Sequence, residues 1–306
     1  MKQDDGRPTL QVQLIEGMGG LPAIWAGFFH TMETTSGEKT ILDKIVDARR
    51  ASVSHRKRVL PDVALKFAAK KNAAPCDFAA ALSRPGYNVI AELKKGSPSR
   101  GIIRADYAPA KIAPQLEAAG AAALSVLTEE EFFFGSLGDL KAVKKKVQIP
   151  ILRKDFIFDP WQVWETRAAG ADAFLLIVAI LEDDALRELL ELGRMLGMEP
   201  LIEVHSPEEL RRALGAGARI IGVNNRDLRD FRVSLDTSLA LVDAIPEECV
   251  AVSESGLHSH EDMSRLRDAG FDAFLIGEHL MKNADPAAAL GELIGTDSPS
   301  AAGGSR

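Results

Sequence analysis

Cysteine is scarce in this chain, with Cys76 and Cys249 the two among 306 residues. Two cysteines cannot build a disulfide framework, and neither belongs to a CxxC or Cys/His cluster with metal spacing, so a reducing cytoplasm fits. A positive charge excess is also missing: 37 Lys and Arg stand against 44 Asp and Glu, for a net charge of −7. That argues against a nucleic-acid backbone binder, which needs a basic face, and puts any bound phosphate on a small molecule. Long apolar runs are lacking as well. The longest, Ala171 to Leu181, is interrupted by Asp172, is too short to span a bilayer and reads as a core strand. The one candidate targeting stretch, Leu21 to Phe29, has no basic segment immediately before it and no A-x-A-like site after it.

What is present is ordinary for a globular protein with a sizeable core: 46% hydrophobic and 26% charged residues. Length alone leaves open two small domains or one large α/β barrel. The first thirty or so residues show no sustained periodicity, and Met32 precedes a helical start, so residues 1–31 are expected to be dispensable, with an intact Met1 on the native protein counting against this. Residues 1–38 read as a poorly ordered extension, 39–294 as one domain, and 295–306 as a small, polar, disordered tail. From Thr40, Ile41, Ile45, Ala48 and Val53 recur at helical spacing; a second helix spans Val63–Lys71, and Ala81 to Gly86 reads as a turn. These elements precede the core and are expected to cover one of its openings.

From Val89 a rhythm sets in. Strand-like runs at Val89–Leu93, Ala122–Leu127, Ile151–Arg153, Ala173–Val178, Pro200–Val204, Ile220–Val223, Val250–Val252 and Ala273–Ile276 alternate with amphipathic helical stretches. Gly120, Gly170, Gly217 and Gly270 close an internal echo, each ending a helix one tight turn before an even-numbered strand. About eight strand–helix units of some twenty-five residues predict an α/β fold, a (β/α)8 TIM barrel with extra N-terminal helices before its first strand. A doubly wound open sheet also alternates in this way, but no G-x-G-x-x-G follows a strand.

Catalytic groups of such barrels sit at the C-terminal strand ends. Here those ends carry Glu92 and Lys94, Lys154 and Phe156, Glu203, Asn224 and Arg226, then Glu254 and Ser255. Several are i, i+2 pairs that would aim together at the barrel mouth. Any one could be a solvated strand end, and the set could be a structural ion-pair network. Five strands ending this way nevertheless point to acid–base chemistry, in which burial pushes charged groups toward neutrality and opposite charges hold them ionised. Ser97 and Ser99, Ser255 and Gly256, and Gly277 and Glu278 put small residues at loop starts after the first, seventh and eighth strands, where barrels bind phosphate. Phe132, Phe133 and Phe134 either stack on a planar substrate or fold back on the core. His205, His258, His260 and His279 read as loop or helix-surface residues, and no metal-ligand spacing occurs.

Together these motifs resemble the indole-3-glycerol phosphate synthase family. The segments that carry the resemblance are Ile90-Ala-Glu-Leu-Lys-Lys-Gly-Ser-Pro-Ser, Leu127-Thr-Glu-Glu with Phe133 and Gly135-Ser136, and Ile151-Leu-Arg-Lys-Asp-Phe156. Further on come Leu201-Ile-Glu-Val, Gly222-Val-Asn-Asn-Arg-Asp-Leu228, Ser253-Glu-Ser-Gly256 and Leu275-Ile-Gly277. The resemblance implies a cofactor-free ring closure of 1-(2-carboxyphenylamino)-1-deoxyribulose 5-phosphate, with loss of carbon dioxide and water. It gives Lys154 as general acid, Glu203 and Glu92 as acid–base residues of the later steps, and Lys94 as an ion-pair partner. Asn224 and Arg226 would hold substrate, Phe133 and Phe156 its ring, and Ser97, Ser255, Gly256, Gly277 and Glu278 its phosphate, Glu278 through its backbone N–H.

Glu254 lies out of phase with Ser253 and Ser255, so alternation would turn it outward; the resemblance places it at the site and so requires the strand to have ended or bulged. Expected partners are a small phosphorylated aromatic substrate, with no nucleic acid and no membrane, in a monomer or weak homo-oligomer. A phosphoribosylanthranilate isomerase-like barrel would need a cysteine near the first strand, where Glu92 and Lys94 stand, and a non-catalytic phosphate-ligand barrel would not need the acid–base residues.

Overall fold

A computed structural model of the protein describes residues 39–227 and 231–295. The N-terminal extension with its dispensable segment and targeting stretch, Leu228, and the tail beyond 295 lie outside the described residues. The chain enters through helix α1 (Ile41–Val59), whose start is fixed by a capping box between Thr40 and Asp43. Helices α2 (Asp62–Lys71) and α3 (Phe78–Leu82) follow. The stretch read as a turn from Ala81 is therefore a turn only after Leu82. Ala81 and Leu82 complete a short helix that Asp77 caps.

Eight parallel strands then close into a barrel in consecutive order: β1 (Asn88–Leu93), β2 (Ala123–Leu127), β3 (Ile151–Lys154), β4 (Ala173–Ile177), β5 (Leu201–Val204), β6 (Ile220–Asn224), β7 (Val250–Glu254) and β8 (Ala273–Ile276). The connecting helices are α4 (Pro109–Ala118), α5 (Leu137–Lys144), α6 (Pro160–Ala169), α7 (Asp183–Met195), α8 (Pro207–Gly215), α9 (Asp236–Leu241) and α10 (His260–Asp268), with α11 (Glu278–Lys282) and α12 (Pro286–Ile294) after the last strand. Periodicity does not reveal the short α5 and α9, since one or two turns leave little of a helical repeat to read. Gly120, Gly170, Gly217 and Gly270 all have positive φ, from 85° to 117°, so the echo marks four turns that side-chain-bearing residues disfavour.

Alternation along each strand sorts the core into two layers. Ile90, Leu152, Leu175, Leu201, Ile220, Val252 and Leu275 fill the barrel interior, while Val89, Leu124, Ile151, Phe174, Ile202, Ile221 and Phe274 pack under the helices. The N-terminal helices are divided between the ends. Asn88 at the start of β1 donates to the Leu82 carbonyl, putting α3 beneath the barrel, whereas Arg49 of α1 reaches Asp155 just past the end of β3, putting α1 beside the opposite face. Ile45 and Val46 of α1 belong to the same apolar cluster as Phe156.

Candidate active site

The C-terminal ends of the strands surround a cavity of about 400 Å³. Glu92, Lys94, Ser97, Phe133, Lys154, Phe156, Glu203, Asn224, Arg226, Ser255, Gly256, Gly277 and Glu278 line it. Glu254 lies just below, touching Lys154. Residues chosen from seven sequence segments thus meet in one place.

Its floor is ionic. Lys154 Nζ lies 2.5 Å from Glu254 Oε2 and 3.3 Å from Glu203 Oε2, and Lys94 Nζ lies 2.8 Å from Glu92 Oε2. Burial works against the Lys154 charge, but Glu254, Glu203 and Glu92 outweigh it and raise the lysine above its ordinary value. Burial likewise works against the Glu92 charge, and Lys94 and Lys154 prevail to hold it below the carboxylate range. Glu203 is also held low against its burial, by Lys154, by His205 and by a hydrogen bond with Asn224. Glu254 goes the other way: burial, with Glu203 and Glu92 nearby, pushes it up to about 7 in spite of Lys154. Among these five groups the carboxyls outnumber the ammoniums by one, so one carboxyl lacks its own ammonium, and Glu254 is the one that takes up a proton most easily.

The expectation that Glu254 needs a bulge is corrected by the strand itself. β7 runs two residues past the predicted end at Val252, and Glu254 shares the inward phase of Val250 and Val252. Ser253 is the outward residue, bonded to Asn225 and Ser238 beneath the helices. Room for the carboxylate comes from Gly222 on β6, because a Cβ there would overlap Glu254 Oε1. Only after Glu254 does the chain leave strand geometry, with Ser255 at φ 68° and Gly256 at φ 79°. Gly277 serves Glu92 as Gly222 serves Glu254, since a Cβ there would collide with the Glu92 side chain.

Around the rim, Arg226 donates its backbone N–H to Asn224 Oδ1 at 3.0 Å, and its guanidinium lies 3.3 Å from Glu278 Oε2. Arg100 and Lys282 join the same carboxylate at 3.1 and 2.6 Å. The aromatic wall is Phe133 against Phe156, with centroids 6.0 Å apart. Phe132 and Phe133 pack against the inner apolar cluster, while Phe134 is exposed, so the three phenylalanines divide between the two readings of their loop. Glu129 fixes that loop by accepting from the N–H groups of Glu131, Phe132 and Phe133.

Sequence reasoning overlooks two features. Asp155, between Lys154 and Phe156, faces outward and accepts from Arg49, Arg153, Thr128 and its neighbour's N–H. His205, read as a loop or helix-surface residue, does lie in the loop after β5 but is largely buried there between Glu203 and Glu209. The i, i+2 relation that flags Lys94, Phe156 and Arg226 also relates His205 to Glu203. Cys249, just before β7, packs under the helices away from the cavity. No His/Cys/Asp/Glu group suited to a metal occurs among the described residues.

The family model described as indole-3-glycerol phosphate synthase matches residues 42–293. The chain belongs to the indole-3-glycerol phosphate synthase family. Proteins named indole-3-glycerol phosphate synthase from Rhodococcus jostii, Chloroherpeton thalassium and Koribacter versatilis are 48%, 50% and 49% identical to it, over 83%, 79% and 78% of this chain and 95%, 95% and 97% of their own. Among solved structures, 3-hexulose-6-phosphate synthase from Salmonella typhimurium aligns with a TM-score of 0.56 at 14% identity, covering 68% of this chain and 97% of that one. Thiamine phosphate pyrophosphorylase from Pyrococcus furiosus aligns at 0.53 and 16% identity, covering 71% and 96%. At such low identity these two speak for the barrel alone. Within the indole-3-glycerol phosphate synthase match lie all fourteen residues that meet at the cavity.

Proposed function

We propose that the barrel closes the indole ring of 1-(2-carboxyphenylamino)-1-deoxyribulose 5-phosphate to give indole-3-glycerol phosphate, carbon dioxide and water, a carboxy-lyase step of tryptophan biosynthesis. Family membership supports the reaction. The observation that carries the assignment of roles is Lys154 seated on two carboxylates at the floor of a cavity with an aromatic wall. An ammonium kept protonated there is a general acid aimed at the substrate ketone oxygen, and its charge stabilises the alkoxide as the ring carbon attacks. Glu203 and Glu92 handle the later proton transfers, with Lys94 paired to Glu92, while Glu254 holds Lys154 in place. Phe133 and Phe156 take the aromatic ring, and Asn224 and Arg226 orient the sugar chain. Ser97, Ser255, Gly256, Gly277 and the Glu278 backbone receive the phosphate; the Glu278 carboxylate, engaged by Arg100, Arg226 and Lys282, leaves those cations within reach of the same anion.

An assay following indole fluorescence on that substrate tests the reading. Wild type should turn over, and Lys154→Ala should lose about 10²–10⁴-fold in kcat, the range for a positioned proton donor. Inactive, folded wild type sinks the function, whereas an active alanine variant sinks only the role of Lys154. Phe156→Ala should raise KM about tenfold through lost ring contact, and unchanged kinetics would refute its place in the wall. We place the protein in the cytoplasm as a monomer or weak homo-oligomer; its two free cysteines suit a reducing compartment.

A further inference from the structure

His205 has no part in the roles above, yet it stands on a continuous line of polar contacts. Glu209, at the first turn of α8, accepts the His205 backbone N–H at 2.7 Å and lies 3.1 Å from Nδ1. That makes Nδ1 an N–H donor and turns Nε2 inward. Nε2 is buried with its hydrogen bonding unsatisfied, and Glu203 Oε1 is 3.4 Å away. The other oxygen of Glu203 is 3.3 Å from Lys154 Nζ. Three short steps therefore join Lys154 to Glu209, whose side chain is 19% exposed.

Charge balance shows what such a line could carry. The substrate's ring carboxylate leaves as neutral carbon dioxide and a hydroxyl leaves as water. The ketone oxygen takes one proton, the departing hydroxyl another, and one returns from the adjacent CH₂, so each turnover consumes one proton from solvent. We propose that His205 supplies this proton, passing it from Nε2 through Glu203 to Lys154 once the lysine has protonated the reacting oxygen. The inference rests on the ring-closure reading above. The Nε2–H bond breaks as Glu203 Oε1–H forms, the carboxyl turns about Cγ–Cδ, and neutral Lys154 Nζ takes the proton. The imidazole keeps Nδ1–H on Glu209 until product leaves and a solvent proton, entering the open cavity lined by Lys154 and Glu203, returns to Nε2 along Lys154 and Glu203.

The groups facing the ring favour this stored proton. They are Glu203 from β5, Glu209 from α8 and Glu254 from β7, all acidic. Burial would lower the imidazole, but these three carboxylates raise it above its ordinary value. Because His205 acts through Glu203 and does not touch substrate, it is a positioning residue for the proton.

Three readouts test it. Nitrogen-15 NMR of the ring should show an imidazolium persisting above the ordinary histidine range, and Glu203→Gln should shift its titration to lower pH; a neutral ring throughout pH 5–9 would overturn the proposal whether or not the protein is active. In the fluorescence assay, His205→Asn should lower kcat about tenfold or more, at the weak end for a proton donor, with KM within twofold. His205→Ala should regain activity in proportion to added imidazole. Wild-type kcat and pH profile in His205→Asn, or a loss in a folded His205→Ala that no concentration of imidazole restores, would overturn it. Failure of wild type to turn over would refute the function instead, leaving the NMR result to decide the proton store.

Discussion

Consecutive residues at the end of β3 belong to two very different ionic clusters. Arg153 and Asp155 point outward, into a network with Arg49 and Arg56 of α1, Glu165 and Thr166 of α6, and Thr128 after β2. Lys154 points inward, to Glu203 and Glu254, with Glu92 and Lys94 beside them. The outer cluster sets three arginines against Asp155, Glu165 and the more distant Glu130, with Arg49 Nε its one buried side-chain atom lacking a hydrogen-bond partner. The inner one has more carboxyl groups than ammonium groups and a Glu254 oxygen without a hydrogen-bond partner. Both are charges at strand ends, but the outer cluster is closed and ties α1 to the barrel, while the inner one keeps a spare proton beneath an open cavity. That imbalance distinguishes a reactive site from a structural ion-pair network.

The sharpest way to break the comparison is to remove the hub of the outer cluster. Asp155→Ala leaves Arg49 and Arg153 buried without their shared counter-charge, and breaking a buried pair in this way costs about 3–5 kcal/mol. Burial alone would raise Asp155, but Arg153, Arg49 and Thr128 hold its carboxyl below the ordinary range, consistent with an ionised hub. A denaturant titration should show the loss, with the m-value unchanged. Lys154→Ala should shift the midpoint far less, since its carboxylates can take up protons. Equal destabilisation by the two variants would erase the distinction between the clusters.

The second prediction uses pH, where the two clusters have opposite signs. Glu254 has its folded value raised, from 4.5 to about 7. The folded state therefore binds its proton more tightly than the unfolded chain, and this contribution to stability, full below about pH 4.5, is lost as pH rises toward 7. Asp155, held low, contributes stability above its unfolded value and loses it as pH falls through its folded value. Thermal melts from pH 4.5 to 7.5 should show wild type falling relative to Glu254→Gln as pH rises. A constant difference between the two would mean that Glu254 is not the group holding the proton.

Much of this contrast is legible in the amino-acid sequence itself. Alternating strands and helices, with four glycines before the even strands, specify a barrel because each element must bury one face and each helix must end in a tight turn. The inward strand-end residues follow from period two once the strand is placed. Phase errors arise where the strand limits are wrong: ending β7 at Val252 leaves Ser253 and Ser255 as the reference and turns Glu254 the wrong way. His205 escapes notice because it follows the last apolar residue of β5, although it lies two residues past Glu203. The Arg49–Asp155 pair joins residues 106 apart, and only closure of the barrel brings them together. Arg49 still leaves a trace, a charge on the buried stripe of α1 with Ile45, Val46 and Val53.

The smallest predicted effects come from two buried serines, one in each layer. Ser125 shares the inward phase of Ala123 and Leu127 on β2, lies in register with Glu92, and has no hydrogen-bond partner for its hydroxyl. Ser253 faces outward on β7, where it accepts from Asn225 Nδ2 at 3.0 Å and meets Ser238 Oγ at 2.8 Å. Ser125→Ala removes a buried group that is already unsatisfied, so stability should stay level or rise. Ser253→Ala strands two buried partners and should cost about 1–3 kcal/mol. Melting both variants beside wild type checks the pair, and a loss at Ser125 as large as at Ser253 would place a further partner, such as an ordered water, on the inner hydroxyl. That result would make the inner layer better satisfied than its side chains show, and would narrow the contrast to Glu254 and the spare proton.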